Sequence, residues 1–211
     1  YNFKPIEKVY VRSVNAFQIP IDSYYLFDTE TNTAYVELSN TVGIRHLQVH
    51  DLNILKATTH GVGMQMAHAL DAGITTIYIG LGGSASNDMS MGLLEALGFI
   101  FMNATNEPIP YTFDQLSQID SFSLTDKLKE KFNHCSFYAV NDVINPLFGP
   151  TGAANTYGPQ KGGTKEIVNK LDTAFKEFTA RFNFPYSYDI MLEGGGAAGG
   201  TAYGLKVFLN A

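Results

Sequence analysis

The sequence contains no tryptophan and a single cysteine, Cys135. One cysteine excludes an intrachain disulfide framework and suits a reducing compartment, so a cytoplasmic setting is expected. No apolar run approaches the ~18–20 residues of a membrane span, and no membrane partner is expected. Charge is sparse as well. Charged residues make up 16% of the chain, and 14 Lys and Arg stand against 20 Asp and Glu, a net of −6. A binder of nucleic-acid phosphates needs a basic face, so nucleic acid is excluded as a partner. The 45% of hydrophobic residues also excludes a disordered chain. With 211 residues the chain can bury a full core. It is read as a single α/β domain, 1–211, with a β-rich segment 1–42 and an α/β body 43–211.

Glycine is missing where it is usually scattered and crowded elsewhere. None occurs before Gly43 and none between Gly98 and Gly149, yet there are 20 in all. Fourteen fall in three clusters: Gly80, Gly82 and Gly83; Gly149, Gly152, Gly158, Gly162 and Gly163; and Gly194, Gly195, Gly196, Gly199, Gly200 and Gly204. Glycine weakens helices and strands. Such clusters mark turns, or places where backbone approaches a ligand closely.

The first forty residues carry strand-forming runs, Val9 to Phe17 and Tyr24 to Phe27, then a turn at Asp28–Thr33 and a returning strand Ala34–Leu38. The aromatics of this hairpin or meander suggest a face that packs on something. From Gly61 the period changes. A helix over 61–71, a short strand over 74–81, a Gly-loop, a helix over 89–97 and a strand over 99–102 follow in order. That order predicts a layered, mostly parallel sheet with helices packed on it. Short helical segments are expected at 112–119 and 124–132, and a strand at 136–140. A long loop is expected over 145–164. The amphipathic helix 165–182 buries Ile167, Val168, Leu171, Phe175 and Phe178, and a last helix covers 203–209.

Three constellations carry candidate chemistry. Gly80-Leu-Gly-Gly-Ser-Ala-Ser-Asn-Asp88 joins a strand to a helix. Gly82 and Gly83 offer backbone N–H groups, Ser84 and Ser86 offer hydroxyls, and Asn87 offers an amide, a combination that attracts anions. Asp88 suits a metal ion or a base. The same residues also suit a plain helix cap, and the string follows neither common phosphate-loop pattern. The second runs from Asn141-Asp142 to Thr164. Asp142 ends a strand, where open α/β sheets place ligands. Lys161 is the only basic residue between Lys131 and Lys165, and glycines flank it. A structureless loop of that length is commonly functional. The third, Glu193 to Gly200, suits either close backbone approach to a ligand through Gly195, Gly196 and Gly199, or tight packing by small residues. His60 precedes a helix and is read as structural more readily than catalytic. His46, His50, His68 and His134 have no metal-ligand spacing. Cys135 is read as a buried apolar residue. With no G-x-S-x-G elbow, an α/β-hydrolase is not expected.

Taken together, five strings resemble the bacterial type-I glycerate kinase family. They are Ala57-Thr-Thr-His-Gly-Val-Gly63, Gly80-Leu-Gly-Gly-Ser-Ala-Ser-Asn-Asp88, Asn145-Pro-Leu-Phe-Gly-Pro-Thr-Gly-Ala-Ala154, Tyr157-Gly-Pro-Gln-Lys-Gly162 and Gly194-Gly-Gly-Ala-Ala-Gly-Gly200. The resemblance implies a kinase that moves the γ-phosphoryl group of ATP to D-glycerate with Mg²⁺, with the 2-hydroxyl favoured. It puts Ser84, Asn87 and Asp88 at the substrate or phosphate end, Asp142 at Mg²⁺ or the hydroxyl, and Lys161 where charge is neutralised. The alternative is a related module that binds small anions without catalysis.

The sequence departs from that pattern in places. Met89-Ser90-Met91 stands where the family has small, glycine-rich residues, which suggests a bulkier and more helical turn. Asn141 stands where a cysteine is common, and Thr201-Ala202 where Leu-Gly is usual. The family's Asp-Ser-Phe-Lys-Gly, Ala-Asp-Gly-Gly-Glu-Gly and Gly-Glu-Gly-Arg strings are absent. The chain is therefore expected to be the middle domain of a longer kinase, to pack against a second domain, and to be inactive by itself.

Overall fold

Residues 6–211 are described by a computed structural model. The first five residues of the expected β-rich segment lie outside the described residues. Three strands open the fold: β1 (Ile6–Val14), β2 (Pro20–Asp28) and β3 (Thr33–Glu37). They form the expected meander, each antiparallel to the next. The short helix α1 (Ser39–Val42) leads towards α2 (His60–Asp71), and β4 (Thr76–Gly80) follows. Later come α3 (Met91–Ala96), β5 (Ile100–Met102), β6 (Ser121–Ser123), α4 (Asp126–Asn133) and β7 (Ser136–Val140). The chain closes with α5 (Ala153–Tyr157), α6 (Lys165–Arg181) and α7 (Ala197–Leu209).

The sheet has the order β1-β2-β3-β4-β7. β3, β4 and β7 run parallel, so the meander extends the parallel α/β layer in one continuous sheet. One expected strand joins elsewhere. Of the expected strand 99–102, Ile100–Met102 forms β5, which pairs with β6, antiparallel, in a separate two-stranded ribbon. Phe101 of β5 and the preceding Phe99 are core residues in contact with Phe208 of α7.

β4 and β7 alternate, and β3 does so from Ala34. Ile77 and Ile79 of β4, Ala34 and Val36 of β3 and Phe137 of β7 point into the core. α2 packs on this side, and Tyr25 Oη lies 3.2 Å from His68 Nδ1. The other face carries Tyr35, Tyr78 and Tyr138, whose rings stack across the strands at 5.5 and 4.7 Å. Parallel strands are commonly covered on both faces. Here the tyrosine face is partly exposed, Tyr138 at 46%.

Two expectations for the helices change. Met89 and Ser90 do not begin α3. Both adopt left-handed backbone, φ 51° and 61°, which delays the helix to Met91. The bulkier residues therefore keep a conformation suited to glycine rather than becoming helical. The segment 145–164 is also not structureless, since α5 and a 3₁₀ turn over Pro159–Lys161 lie within it. Ala153 and Ala154 are fully buried, and a side chain at Gly152 would meet Phe148 backbone at 2.5 Å. Among the described residues no helix is long and apolar enough to cross a membrane.

Candidate active site

A cavity of about 160 Å³ opens at the C-terminal ends of β4 and β7. The three glycine-rich segments meet there. Gly82, Gly83 and Ser84 come from the loop after β4, Asp142 from the end of β7, Lys161 from the 3₁₀ turn, and Ala197 and Ala198 from the start of α7. Topology causes this convergence. Two adjacent parallel strands end at the same rim, and the chain leaving each strand runs past it.

Lys161 forms the floor. Its side chain is 2% exposed, so it is not the solvated lysine of a surface loop. The turn that carries it ends at Gly162, whose left-handed backbone (φ 87°) lies against the Leu52 carbonyl. Lys161 Nζ donates to Ser84 Oγ at 2.8 Å and to the Ser86 carbonyl at 2.6 Å. An ammonium has three donors. The third has no protein acceptor among the described residues. Burial pushes the Lys161 pKa down to about 7, and the charge of Asp88 works against that fall. The N–H groups of Gly82, Gly83 and Ser84 likewise have no acceptor among the described residues. Free amides beside a buried amine make a site for an anionic oxygen.

Asp142 stands on the rim. It is exposed, with no hydrogen bond or ion pair among the described residues. Among those residues no three His, Cys, Asp or Glu gather as a metal cage. A lone carboxylate with free lone pairs nevertheless fits Mg²⁺, which commonly takes one or two carboxylates together with phosphate oxygens.

The other expected site residues lie behind the cavity. Ser86, Asn87 and Asp88 are buried and do not line it. Asp88 does not cap in the usual way either. Its Oδ2 accepts from Thr58 Oγ1 (3.2 Å), Thr59 N (2.7 Å), Thr59 Oγ1 (2.9 Å) and Gly92 N (3.3 Å). One oxygen thus joins the starts of α2 and α3. Burial raises the Asp88 pKa, and these hydrogen bonds oppose the rise. Gly195, Gly196 and Gly199, candidates for close approach to a ligand, do not line the cavity, and a side chain at each would meet protein. A side chain at Gly196 would meet the Pro146 carbonyl at 2.3 Å, one at Gly199 the Ser86 carbonyl at 2.2 Å, and one at Gly195 the Leu192 carbonyl at 2.9 Å. Of the two readings of this run, close packing by small residues describes these three positions.

Tyr157, Gln160 and Ile44 also line the cavity, although no pattern in the sequence assigned them a role. Tyr157 donates to Asn145 Oδ1 at 2.7 Å, and Gln160 precedes Lys161. Both lie within Tyr157-Gly-Pro-Gln-Lys-Gly162, one of the strings that carry the family resemblance. Ile44 arrives through a bridge between Gly43 and Ser84, and no local pattern marks it. His60 Nδ1 lies 3.8 Å from Glu95 Oε2, away from the cavity. Cys135 is buried and its thiol is pushed up to about 12, as expected of an inert residue.

Residues 3–211 match the sequence profile of the Glycerate kinase family. A glycerate kinase of Bacillus cereus is 35% identical over 85% of this chain and 47% of its own length. A glycerate 2-kinase of Escherichia coli K12 is 33% identical over 85% of this chain and 47% of its own length. A solved structure named for glycerate kinase 2 of Salmonella typhimurium LT2 superposes with a TM-score of 0.87 at 32% identity, covering 98% of this chain and 55% of the other. The chain spans about half the length of the curated relatives it matches. On this profile match, and on a fold shared at that level, the chain belongs to the glycerate kinase family.

Proposed function

We propose that this chain supplies the substrate-anion wall of a glycerate kinase, an enzyme that phosphorylates D-glycerate with ATP. The observation that carries the reading is the buried Lys161 ammonium, with one donor free, at the floor of a cavity rimmed by the Asp142 carboxylate. Lys161, Ser84 and the amides of Gly82 and Gly83 hold a carboxylate or phosphoryl oxygen. Asp142 holds Mg²⁺ or takes the hydroxyl proton. Bound ATP supplies the phosphoryl group, and Mg²⁺ neutralises its charge; the protein supplies mainly position and electrostatic balance. The name of the Escherichia coli relative, glycerate 2-kinase, favours the 2-hydroxyl. Drug-sized ligands occupy ~300–1,000 Å³, so the cavity suits a group the size of glycerate or phosphate, and a nucleotide extends beyond it. The remaining length of the relatives would supply the facing wall and pack against this one. The cytoplasm, where ATP is available, is the setting of this reading.

The test expresses the complete gene and measures phosphoglycerate formed from D-glycerate, ATP and Mg²⁺, with NMR of the product to find the esterified hydroxyl. Turnover is expected, and it is expected to be lost in Lys161→Met and Asp142→Asn. Residues 1–211 by themselves should turn over little or not at all. A second reading, an anion-binding module without catalysis, is favoured by the small cavity and the single rim carboxylate. Binding of glycerate without turnover by the complete product would select it.

A further inference from the structure

The Asp88 carboxylate accepts four hydrogen bonds, and the ligand cavity does not reach it. The four groups that bond its Oδ2 are all donors, while Oδ1 is buried with no partner. Four donors on one oxygen favour the ionised form and work against the burial that raises the Asp88 pKa. The Thr58–Thr59 groups that grip it have further bonds of their own. Thr59 Oγ1 accepts from Leu93 N at 2.9 Å, and Thr58 Oγ1 accepts from His60 N at 3.3 Å. One carboxylate therefore fixes the end of the loop Gly82–Asp88 to the start of two helices, whose N-terminal dipoles favour negative charge.

That loop also grips Lys161. Ser84 Oγ and the Ser86 carbonyl are its two protein acceptors. Ser86 lies two residues before Asp88. Its carbonyl is wedged against Gly199, where a side chain would come within 2.2 Å, and the Gly199 carbonyl accepts from Met89 N at 3.1 Å. The loop is thus clamped on both sides of the carbonyl that holds the ammonium.

We propose that Asp88 is a positioning residue, which fixes the loop that aims the Lys161 ammonium into the cavity and balances its charge from behind. The proposal rests on the reading of Lys161 as the anion-binding group. Asp88 touches neither substrate nor nucleotide in this role. The charged or titratable groups facing the pair are few. Asp142 lines the cavity just beyond β7 and Tyr157 lines it from the end of α5, Tyr111 feels the Asp88 charge, and the loop and the start of α7 add none. An opposite charge nearby favours the ionised form of a group. Without the Asp88 charge, the Lys161 ammonium would lose its proton at lower pH.

The experiment is calorimetric binding of D-glycerate and of inorganic phosphate between pH 6 and 8.5. The proteins are the wild type, Asp88→Asn, Lys161→Met and the double variant. In the wild type, affinity should fall as pH rises through about 7. In Asp88→Asn that midpoint should move down by about one pH unit, with ~10-fold weaker binding at pH 7.5. In the Lys161→Met background the same substitution should change any residual binding by less than twofold. Such a loss of additivity is the mark of a residue acting through its neighbour. Equal losses in both backgrounds, or an unmoved midpoint, overturn the proposal. No binding of either anion by the wild type at any pH overturns the Lys161 reading itself and the proposal with it. Circular dichroism checks the fold of each variant. Where Asp88→Asn fails to fold, Thr58→Val removes one donor and should give about a two- to threefold loss that vanishes in Lys161→Met. Persistence of that loss also overturns the proposal.

Discussion

Lys161 should make this protein more stable as pH rises above neutrality, the reverse of the effect of a lysine in a salt bridge. In the unfolded chain its amine has the ordinary value near 10.5, while burial brings the folded value to about 7. Between those limits the unfolded state binds more protons than the folded one, so unfolding free energy increases with pH. The full gap corresponds to about 5 kcal/mol, order of magnitude. A clean window is narrower. Cys135 is raised from 9.0 to about 12, and its contribution runs the other way, declining once pH passes 9. From pH 7 to 8.5, Lys161 alone should add roughly 1–2 kcal/mol. Urea unfolding at half-unit steps of pH, on wild type and Lys161→Met, measures it. The rise should appear in the wild type and be absent from the variant, because methionine fills the space without a proton. Anion affinity should move oppositely, weakening over the same window as the ammonium is lost. Equal pH dependence of stability in the two proteins would refute the reasoning, because Lys161 would then not be a buried amine that gives up its proton on folding.

Three other perturbations test the packing of the fold. Gly199→Ala combines a left-handed residue (φ 69°) with a methyl 2.2 Å from the Ser86 carbonyl, and should cost about 3 kcal/mol or more in urea unfolding. Ser90→Gly relieves a left-handed backbone (φ 61°) and removes a buried hydroxyl without a partner, so it should stabilise by about 1 kcal/mol. Phe208→Ala empties the centre of a cluster in which Phe99, Phe122, Phe182 and Phe184 all lie within 5.7 Å by ring centroid. It should cost about 3–5 kcal/mol by the same measurement.

Short-range physics made much of this fold legible in the sequence. The alternation Ala34-Tyr-Val36 and Ile77-Tyr-Ile79 shows which side of each strand is buried, because successive side chains point to opposite faces. The amphipathic spacing of Val168, Leu171, Phe175 and Phe178 places α6 within a residue of its observed end. Periodicity misled where a pattern fits more than one partner. Phe99–Met102 has the composition of a core strand, and only the nearby β6 edge decides that it leaves the main sheet. Glycine clusters located the three segments of the cavity but not the duty of each glycine. Gly83 lines it, whereas Gly199 accommodates another loop's backbone.

By itself the sequence determined the chain's class, its acidic and cysteine-poor character, and the residue types that meet at the rim. Those properties follow from composition and from spacing over a few residues. Only the tertiary structure decided what the charged residues do. Lys161 and Ser84 are 77 positions apart and bond at 2.8 Å, so the loss of solvent that pulls the amine towards neutral pH has no local signature. Asp88 and Asp142 are equivalent carboxylates on paper. One is buried under four donors from the starts of two helices and the other is left open at a strand end, a difference set by long-range packing.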